Sequence, residues 1–339
     1  MDVVTLTRTL VDIESITGKE AACGIALESI LQGLATRHQG TLERLPVEGD
    51  RFNLYVSFGG AGVTYSTHYD TVPPFIPSAE DETTVYGRGS CDAKGILASM
   101  VVATERLLDA GHRDLALLFV VGEERGSAGA YAAERDPRPS RFLINGEPTE
   151  NQLGLGTKGA LRLDVVAKGK MAHSAYPELG DSAIDKLLDA LERIRGIELP
   201  NDATLGPSTL NIGTLMGGRA TNVIPDEAKA ELLIRLVSDP GPVVEAVRCA
   251  AGGAVEVVQT LCIPALHLTA PEGFPTTVVK YTTDVPILCP AWGEPLLVGP
   301  GTIHVAHTPH EHILKADLHR AVDLYVELAT KLLADAPAE

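Results

Sequence analysis

The sequence predicts an α/β protein: a mixed sheet covered by helices, interrupted by a smaller two-layer α+β domain. Three observations carry this. Apolar strand-like runs alternate with helix-patterned stretches in the first part of the chain. The middle follows the order β-α-β-β-α-β, and a long amphipathic stretch closes the chain.

Val3 to Ile13 and Glu20 to Leu34 read as helices, followed by strand-like runs at Phe52 to Phe58 and Val63 to His68. Asp92 to Gly95 opens a helix, Ile96 to Leu108, whose apolar positions recur at helical spacing. Leu115 to Val121 is the most strand-like run, and beyond a glycine-containing turn Arg141 to Ile144 is a second, short strand. Such alternation suits a sheet with helices on both faces.

In the middle, Leu161 to Ala167 reads as a strand and Asp181 to Ile194 as a helix opened by Asp181 and Ser182. Ser208 to Leu215 and Ala228 to Val237 are strands, Gly241 to Ala250 a helix, and Val255 to Leu261 a last strand. This is the split βαββαβ unit, ferredoxin-like in order. Pro264, Pro271 and Pro275 punctuate the return. In the closing helix, Glu311 to Leu333, residues Leu314, Leu318, Ala321, Tyr325, Leu328 and Leu332 form one stripe suited to packing on the first sheet. The expected division is therefore 1–155 with 266–339 as one domain, and 156–265 inserted.

Composition narrows the function. Hydrophobic residues make up 45% and charged residues 22% of 339 residues, the balance of a globular protein large enough for two domains. A net charge of −17, without a basic patch, argues against nucleic acid as a partner. The same charge either draws in a cationic substrate or simply keeps the protein soluble. No apolar run is long enough to span a bilayer, and the N-terminus, with Asp2, Asp12 and Glu14, lacks a signal-like pattern. The expectation is a cytoplasmic protein with no membrane partner. The five cysteines are scattered, with no CxxC pair, so neither a disulfide framework nor a thiolate zinc cluster is indicated.

Chemistry concentrates where apolar segments end. Ser66-Thr67-His68-Tyr69-Asp70 puts an imidazole at a strand end, and further donors follow at Asp92, Glu123-Glu124, Glu147 and His304 to His312. Donors at successive strand ends can converge in one cleft. A co-catalytic metal pair needs several such ligands and one carboxylate that reaches both ions. The candidates are His68, Asp92, Glu124, Glu147 and one C-terminal histidine. Asp70 can accept a hydrogen bond from the second nitrogen of His68 and fix its tautomer. Adjacent side chains on an extended segment point oppositely, so of Glu123 and Glu124 one can bind metal while the other faces a water. Asp92 lies among Gly87, Gly89 and Gly95 and also suits the N-cap of the following helix. Among His304, His307, His310 and His312, composition alone does not choose.

These segments together resemble the M20 family of zinc-dependent peptidases and deacylases, which includes acetylornithine deacetylase, succinyl-diaminopimelate desuccinylase and related aminoacylases. The resemblance runs through Ser66 to Pro73, Gly87 to Gly95, Glu123 to Ser127 and Asn145 to Thr149. It continues with His173-Ser174-Ala175-Tyr176-Pro177, Asn222-Val223-Ile224-Pro225 and His307-Thr308-Pro309-His310-Glu311. It implies a zinc-peptidase-like catalytic domain carrying an inserted dimerisation domain. Asp92 would be the bridging carboxylate, His68 would pair with Glu147, and Glu124 with His307. The other three C-terminal histidines become bystanders.

The resemblance further implies two Zn²⁺ per subunit, with Co²⁺ or Mn²⁺ as alternatives, and Glu123 as general base for attack of water on an amide. His173 would reach a partner subunit's site in a homodimer and support the oxyanion. Asn222 and Arg235 would hold the substrate carboxylate. Asp284, in a Thr-Asp element, would meet a cationic side chain, unless it is a turn cap. Cys91 departs from the commonest pattern and is read as a neighbour of the metal, not a nucleophile. The expected activity is removal of an acyl group, chiefly acetyl, from a small N-acylated amino acid such as acetylornithine or acetyllysine. A dipeptidase or carboxypeptidase with the same centre is the alternative, and a non-catalytic metabolite-binding protein the reading from another class.

Overall fold

The computed structural model describes residues 1–60 and 62–334. Ala61 and the last five residues of the expected 266–339 segment lie outside the described residues. The chain divides into two compact units: 1–154 with 268–277 and 283–339, and 155–267 with 278–282.

The first unit is built on a six-stranded mixed sheet. Its strands run, in order across the sheet, Thr41–Glu48, Arg51–Phe58, Leu115–Val120, Val63–His68, Phe142–Asn145 and Glu294–Leu297. The last four are mutually parallel, and the first two are antiparallel to their neighbours. Leu115–Val120 is buried throughout because both faces are covered. Leu117 and Phe119 enter the core on one face, beneath the helices Val3–Val11, Ala21–His38, Lys94–Asp109 and Lys315–Ala334. Ala116, Leu118 and Val120 enter the other, against Ala130, Ala133, Leu288 and Trp292 of the helices Ala128–Arg135 and Val285–Trp292. Period-two alternation thus splits one apolar run between two cores. Tyr325 ties the C-terminal helix to the sheet, its hydroxyl donating to the Val298 carbonyl at 2.7 Å and its own carbonyl accepting from Tyr65 at 2.7 Å.

The second unit has a four-stranded antiparallel sheet, ordered Thr209–Gly217, Glu227–Leu236, Gly159–Lys168, Val255–Ile263. The helices Ala183–Arg195 and Pro240–Ala251 share a core with it. Along the chain this gives the βαββαβ order. Ser182 caps the first helix, accepting from the Asp185 amide at 3.2 Å.

Several expectations need correction. The C-terminal helix begins at Lys315, not Glu311, because His312–Leu314 pairs antiparallel with Thr84–Tyr86. Residues 278–282 group with the second unit instead of the first, and the Lys158 amide donates to the Val279 carbonyl at 3.1 Å. Strand Thr41–Glu48 was not anticipated: it is a largely exposed edge strand carrying Pro46, so it shows little apolar signal. Two eight-residue helices were also missed. Val285–Trp292 contains Pro286 and Pro290, which read as breakers in sequence.

Candidate metal centre

The parallel register explains why the polar segments meet. His68 ends its strand level with Val120, and Ser66 is level with Asn145. The chain after each strand therefore leaves the same edge of the sheet, where open α/β sheets bind ligands. Val120 leads to Glu123 and Glu124, Asn145 leads to Glu147, and Leu297 leads toward His307. Asp92 arrives in the glycine-rich turn before the Lys94–Asp109 helix.

The geometry centres on Asp92. Its Oδ1 lies 3.1 Å from His68 Nε2 and its Oδ2 lies 3.4 Å from His307 Nε2. The same His307 Nε2 is 2.9 Å from Glu124 Oε2. One ligand atom each from His68, Asp92 and Glu124 lie within 4.8 Å of one another. Glu147 is buried, and its charge acts on the same group. His307 is a non-glycine residue with φ +61°, a left-handed backbone sparsely populated outside functional sites and turns. His304, His310 and His312 have no place in this cluster; His312 Nδ1 instead donates to the His310 carbonyl at 2.8 Å.

Electrostatics show what the cluster can hold. Burial, then the charge of Glu147, pushes the Glu123 carboxyl well above the usual range. Burial, then Asp92, does the same for Glu147 and also raises Glu124. Burial lowers the His68 pKa, but the Asp70 and Asp92 carboxylates override it and hold the imidazole well above its ordinary value. Asp92 and Glu124 push His307 up to about 10. Were His68 neutral, with its Nδ1 proton given to the Asp70 carbonyl, its Nε2 lone pair would face an Asp92 oxygen. Two acceptors at that separation need a proton or a cation between them. Two imidazoles and three carboxylates form a nitrogen and oxygen donor set suited to borderline divalent ions, and the residues fit the metal expected from sequence.

The supporting residues partly correct the sequence reading. His68 Nδ1 donates to the Asp70 carbonyl at 3.0 Å, whereas the Asp70 carboxylate is 3.5 Å away. That carboxylate is instead engaged by the Glu123 and Glu124 amides at 3.1 and 3.3 Å and the Thr17 hydroxyl at 2.7 Å. Asp70 thus steers His68 through its main chain and the Glu123–Glu124 turn through its side chain. That turn is a 3-10 segment, Glu123–Arg125, so opposed side chains on an extended strand do not explain its division of labour. Asp92 is not the helix cap: Ala93 holds that position, with no side-chain cap bond. Cys91 is buried, its thiol held well above the ordinary value by burial, and it donates to the Thr302 carbonyl at 3.5 Å.

Asp284 begins the Val285–Trp292 helix, yet its side chain makes no cap bond, which removes the turn-cap reading. It is buried, and neither carboxylate oxygen has a hydrogen-bond partner among the described residues. Burial, offset in part by nearby Ser127 and His68, pushes its carboxyl to about 6.

Within the second unit, His173 and Asn222 are brought together. Ala172 and His173 pair with Ile224 and Val223, and the Ser174 amide donates to the Asn222 carbonyl at 3.0 Å. His173 Nδ1 accepts from the Ala175 amide at 3.1 Å, and the imidazole is exposed. Arg235 is half-buried and donates to the Thr282 hydroxyl at 3.0 Å.

Two residues given no role from sequence, Arg88 and Glu311, form a buried ion pair beside Asp92. Both stand in segments with motif character, Arg88 between Gly87 and Gly89 and Glu311 four residues after His307. Nothing local shows that they meet.

The model for peptidase family M20/M25/M40 matches residues 64–331. A peptidase M20 domain-containing protein of Schizosaccharomyces pombe is 38% identical over 340 residues, covering 96% of this chain and 83% of that protein. A probable carboxypeptidase of Aspergillus terreus is 38% identical over 95% of this chain and 84% of its own length. The fold is similar to that of a Staphylococcus aureus tripeptidase, with a TM-score of 0.83 at 21% identity over 98% of both chains.

Proposed function

The chain belongs to peptidase family M20/M25/M40 and is a metal-dependent hydrolase of linear amides, and from that premise we propose that it cleaves small peptides next to a free carboxylate, as a carboxypeptidase or dipeptidase. The observation that carries the chemistry is Asp92, with one oxygen facing His68 and the other facing His307. A carboxylate so placed can bridge two ions. His68 with Glu147 would hold one, and Glu124 with His307 the other. Zinc is the metal we assign, with cobalt or manganese able to replace it.

Bound divalent ions supply Lewis acidity and lower the pKa of water. The protein supplies the rest. Glu123, outside the ligand set, accepts the proton of the attacking water and returns it to the leaving amine. Burial, then the charge of Glu147, raises its pKa, the direction that makes a carboxylate a better proton acceptor. Asp70 holds the Glu123 and Glu124 amides, so base and ligand move as one turn. Asn222 and Arg235 bind the substrate carboxylate, for which a guanidinium offers a planar fork, and His173 supports the oxyanion. We assign a homodimer formed through the second unit, whose edge strand Thr209–Gly217 is mostly exposed.

The peptidase reading stands ahead of the deacetylase expected from sequence because a relative aligned along 95% of this chain is named a probable carboxypeptidase. Deacylation of a cationic N-acylated amino acid is the second reading. It is favoured by the unpartnered buried carboxylate of Asp284. A panel of dipeptides and carboxyl-terminal peptides, set against acetylated ornithine, lysine, citrulline and glutamate, decides between them. Peptides should be turned over fastest; faster hydrolysis of the acetylated amino acids throughout reverses the order.

A further inference from the structure

Glu311 lies outside the ligand set and the base, yet it is among the most heavily engaged buried carboxylates near the centre. Its Oε1 accepts the backbone N–H groups of Gly89, Cys91 and Asp92 at 2.9, 3.2 and 3.0 Å. Its Oε2 accepts from Arg88 Nη1, and both side chains are buried. Its own carbonyl accepts the Gly87 amide at 3.1 Å. One residue thus gathers the whole turn from Gly87 to Asp92.

The turn has little freedom to compensate if that carboxylate is lost. Gly89 has φ +88°, and a Cβ there would come within 2.9 Å of Thr71. A Cβ on Gly95 would come within 2.2 Å of the Ser90 carbonyl, so the helix that follows is pressed against the turn. Glu311 also stands four residues after His307 in the chain. It therefore joins the loop that carries one histidine ligand to the turn that carries the shared carboxylate.

From this we propose that Glu311 is the positioning residue of the metal centre: by binding the three amides it fixes the Asp92 main chain, so that the two carboxylate oxygens face His68 and His307 together. The inference rests on the metal-centre reading above and adds a dependence on a residue that touches no metal. Charge matters as well as shape. Three N–H groups and a guanidinium form a wholly donating surround, which a carboxylate satisfies and a carboxamide does not, since its NH₂ must meet one of them. Arg88 plays a lesser part, because it binds the oxygen that does not hold the amides.

The test uses the whole chain, stripped of metal by chelation and titrated calorimetrically with Zn²⁺ or Mn²⁺ alone, alongside thermal unfolding of each metal-free variant. Glu311→Gln should bind metal about ten- to a hundredfold more weakly than the parent, the range seen when partners of metal ligands are removed. Arg88→Lys keeps the carboxylate on the amides and should retain parental metal affinity even where it unfolds at lower temperature. A folded Glu311→Gln with parental affinity overturns the proposal. So does an Arg88→Lys that loses as much affinity as Glu311→Gln, since affinity would then merely follow stability. Should Glu311→Gln fail to fold, Glu311→Asp, which keeps the charge but withdraws it from the amides, should show the same weakening, and parental affinity there overturns the proposal too. A parent protein that binds no metal refutes the centre itself. A parent that binds metal while the variants match it refutes only the role of Glu311.

Discussion

Replacing Asp70 with asparagine keeps the shape of a fully buried side chain and changes only what its two terminal atoms can accept. The carboxylate takes the Glu123 amide at 3.1 Å on Oδ1, and the Glu124 amide at 3.3 Å and the Thr17 hydroxyl at 2.7 Å on Oδ2. The asparagine NH₂ must replace one of these oxygens. On the Oδ1 side it opposes the Glu123 N–H and the nearby His68 Nδ1. On the Oδ2 side the Thr17 hydroxyl can turn and accept, and only the longer Glu124 contact is lost, so the variant should settle there. A hydrogen bond to a charged group contributes about 1.5–3 kcal/mol, and a buried N–H left unpaired costs about 1–3 kcal/mol. Together they suggest a loss on the order of 3 kcal/mol.

Part of that loss falls on the turn itself, because Glu123–Arg125 is a single 3-10 segment whose first two amides are held by Asp70. Metal affinity should fall about ten- to a hundredfold and kcat with it. Calorimetric metal titration, urea unfolding of the metal-free protein and peptide hydrolysis together measure this. The pH dependence has a definite sign. Burial raises the Asp70 pKa, but His68, Thr17 and the Glu123 amide outweigh it and hold the carboxyl below its ordinary value. Its stabilisation is therefore full above the unfolded aspartate pKa and is lost as pH falls through the lower folded value. The stability gap between parent and variant should close toward acid pH. Unchanged metal affinity, kcat and stability in Asp70→Asn would refute the role assigned to this carboxylate.

Other outcomes follow from the same geometry. Glu123→Ala should abolish turnover while leaving metal stoichiometry intact, because it removes the proton acceptor and no ligand; turnover near the parental rate speaks against Glu123 as base. In the metal-free protein His307 titrates at about 10 under the influence of Asp92 and Glu124. The stability this proton brings is full below the ordinary imidazole pKa and is lost as pH rises through about 10. Metal must displace the proton, so apparent affinity should rise with pH up to that value, and calorimetry in buffers of different ionisation enthalpy should detect proton release. Absence of release at mildly alkaline pH contradicts His307 as a ligand. Mixing inactive His173→Ala and Glu123→Ala chains should restore some activity if each site borrows His173 from a partner; no recovery despite subunit exchange argues for self-contained sites.

Much of the candidate centre was legible in the chain because its proposed ligands sit at the ends of apolar runs. An apolar run that stops abruptly at a histidine or a glutamate pair states both a strand and its exit. His68, Glu124 and Glu147 follow that rule, and parallel register makes their exits coincide. Resemblance implies the roles of Glu123 and Glu124, and their 3-10 turn rules out a division of labour by the opposed side chains of an extended strand. The Thr41–Glu48 strand escaped notice because an edge strand needs no apolar face, and Val285–Trp292 because prolines mask a short helix.

The sequence by itself determined the alternation of strands and helices, the donor residues at strand ends and the family to which they belong, because hydrophobic period and residue chemistry are local properties. Only the tertiary structure decided that the Asp70 carboxylate serves the Glu123–Glu124 turn more than the imidazole, and that Glu311 gathers the amides beside Asp92. Those assignments depend on contacts between segments 53 and 219 residues apart, such as Glu123 to Asp70 and Asp92 to Glu311. No local pattern records which distant donor a buried carboxylate will meet; folding decides it by leaving that carboxylate no other way to satisfy its charge.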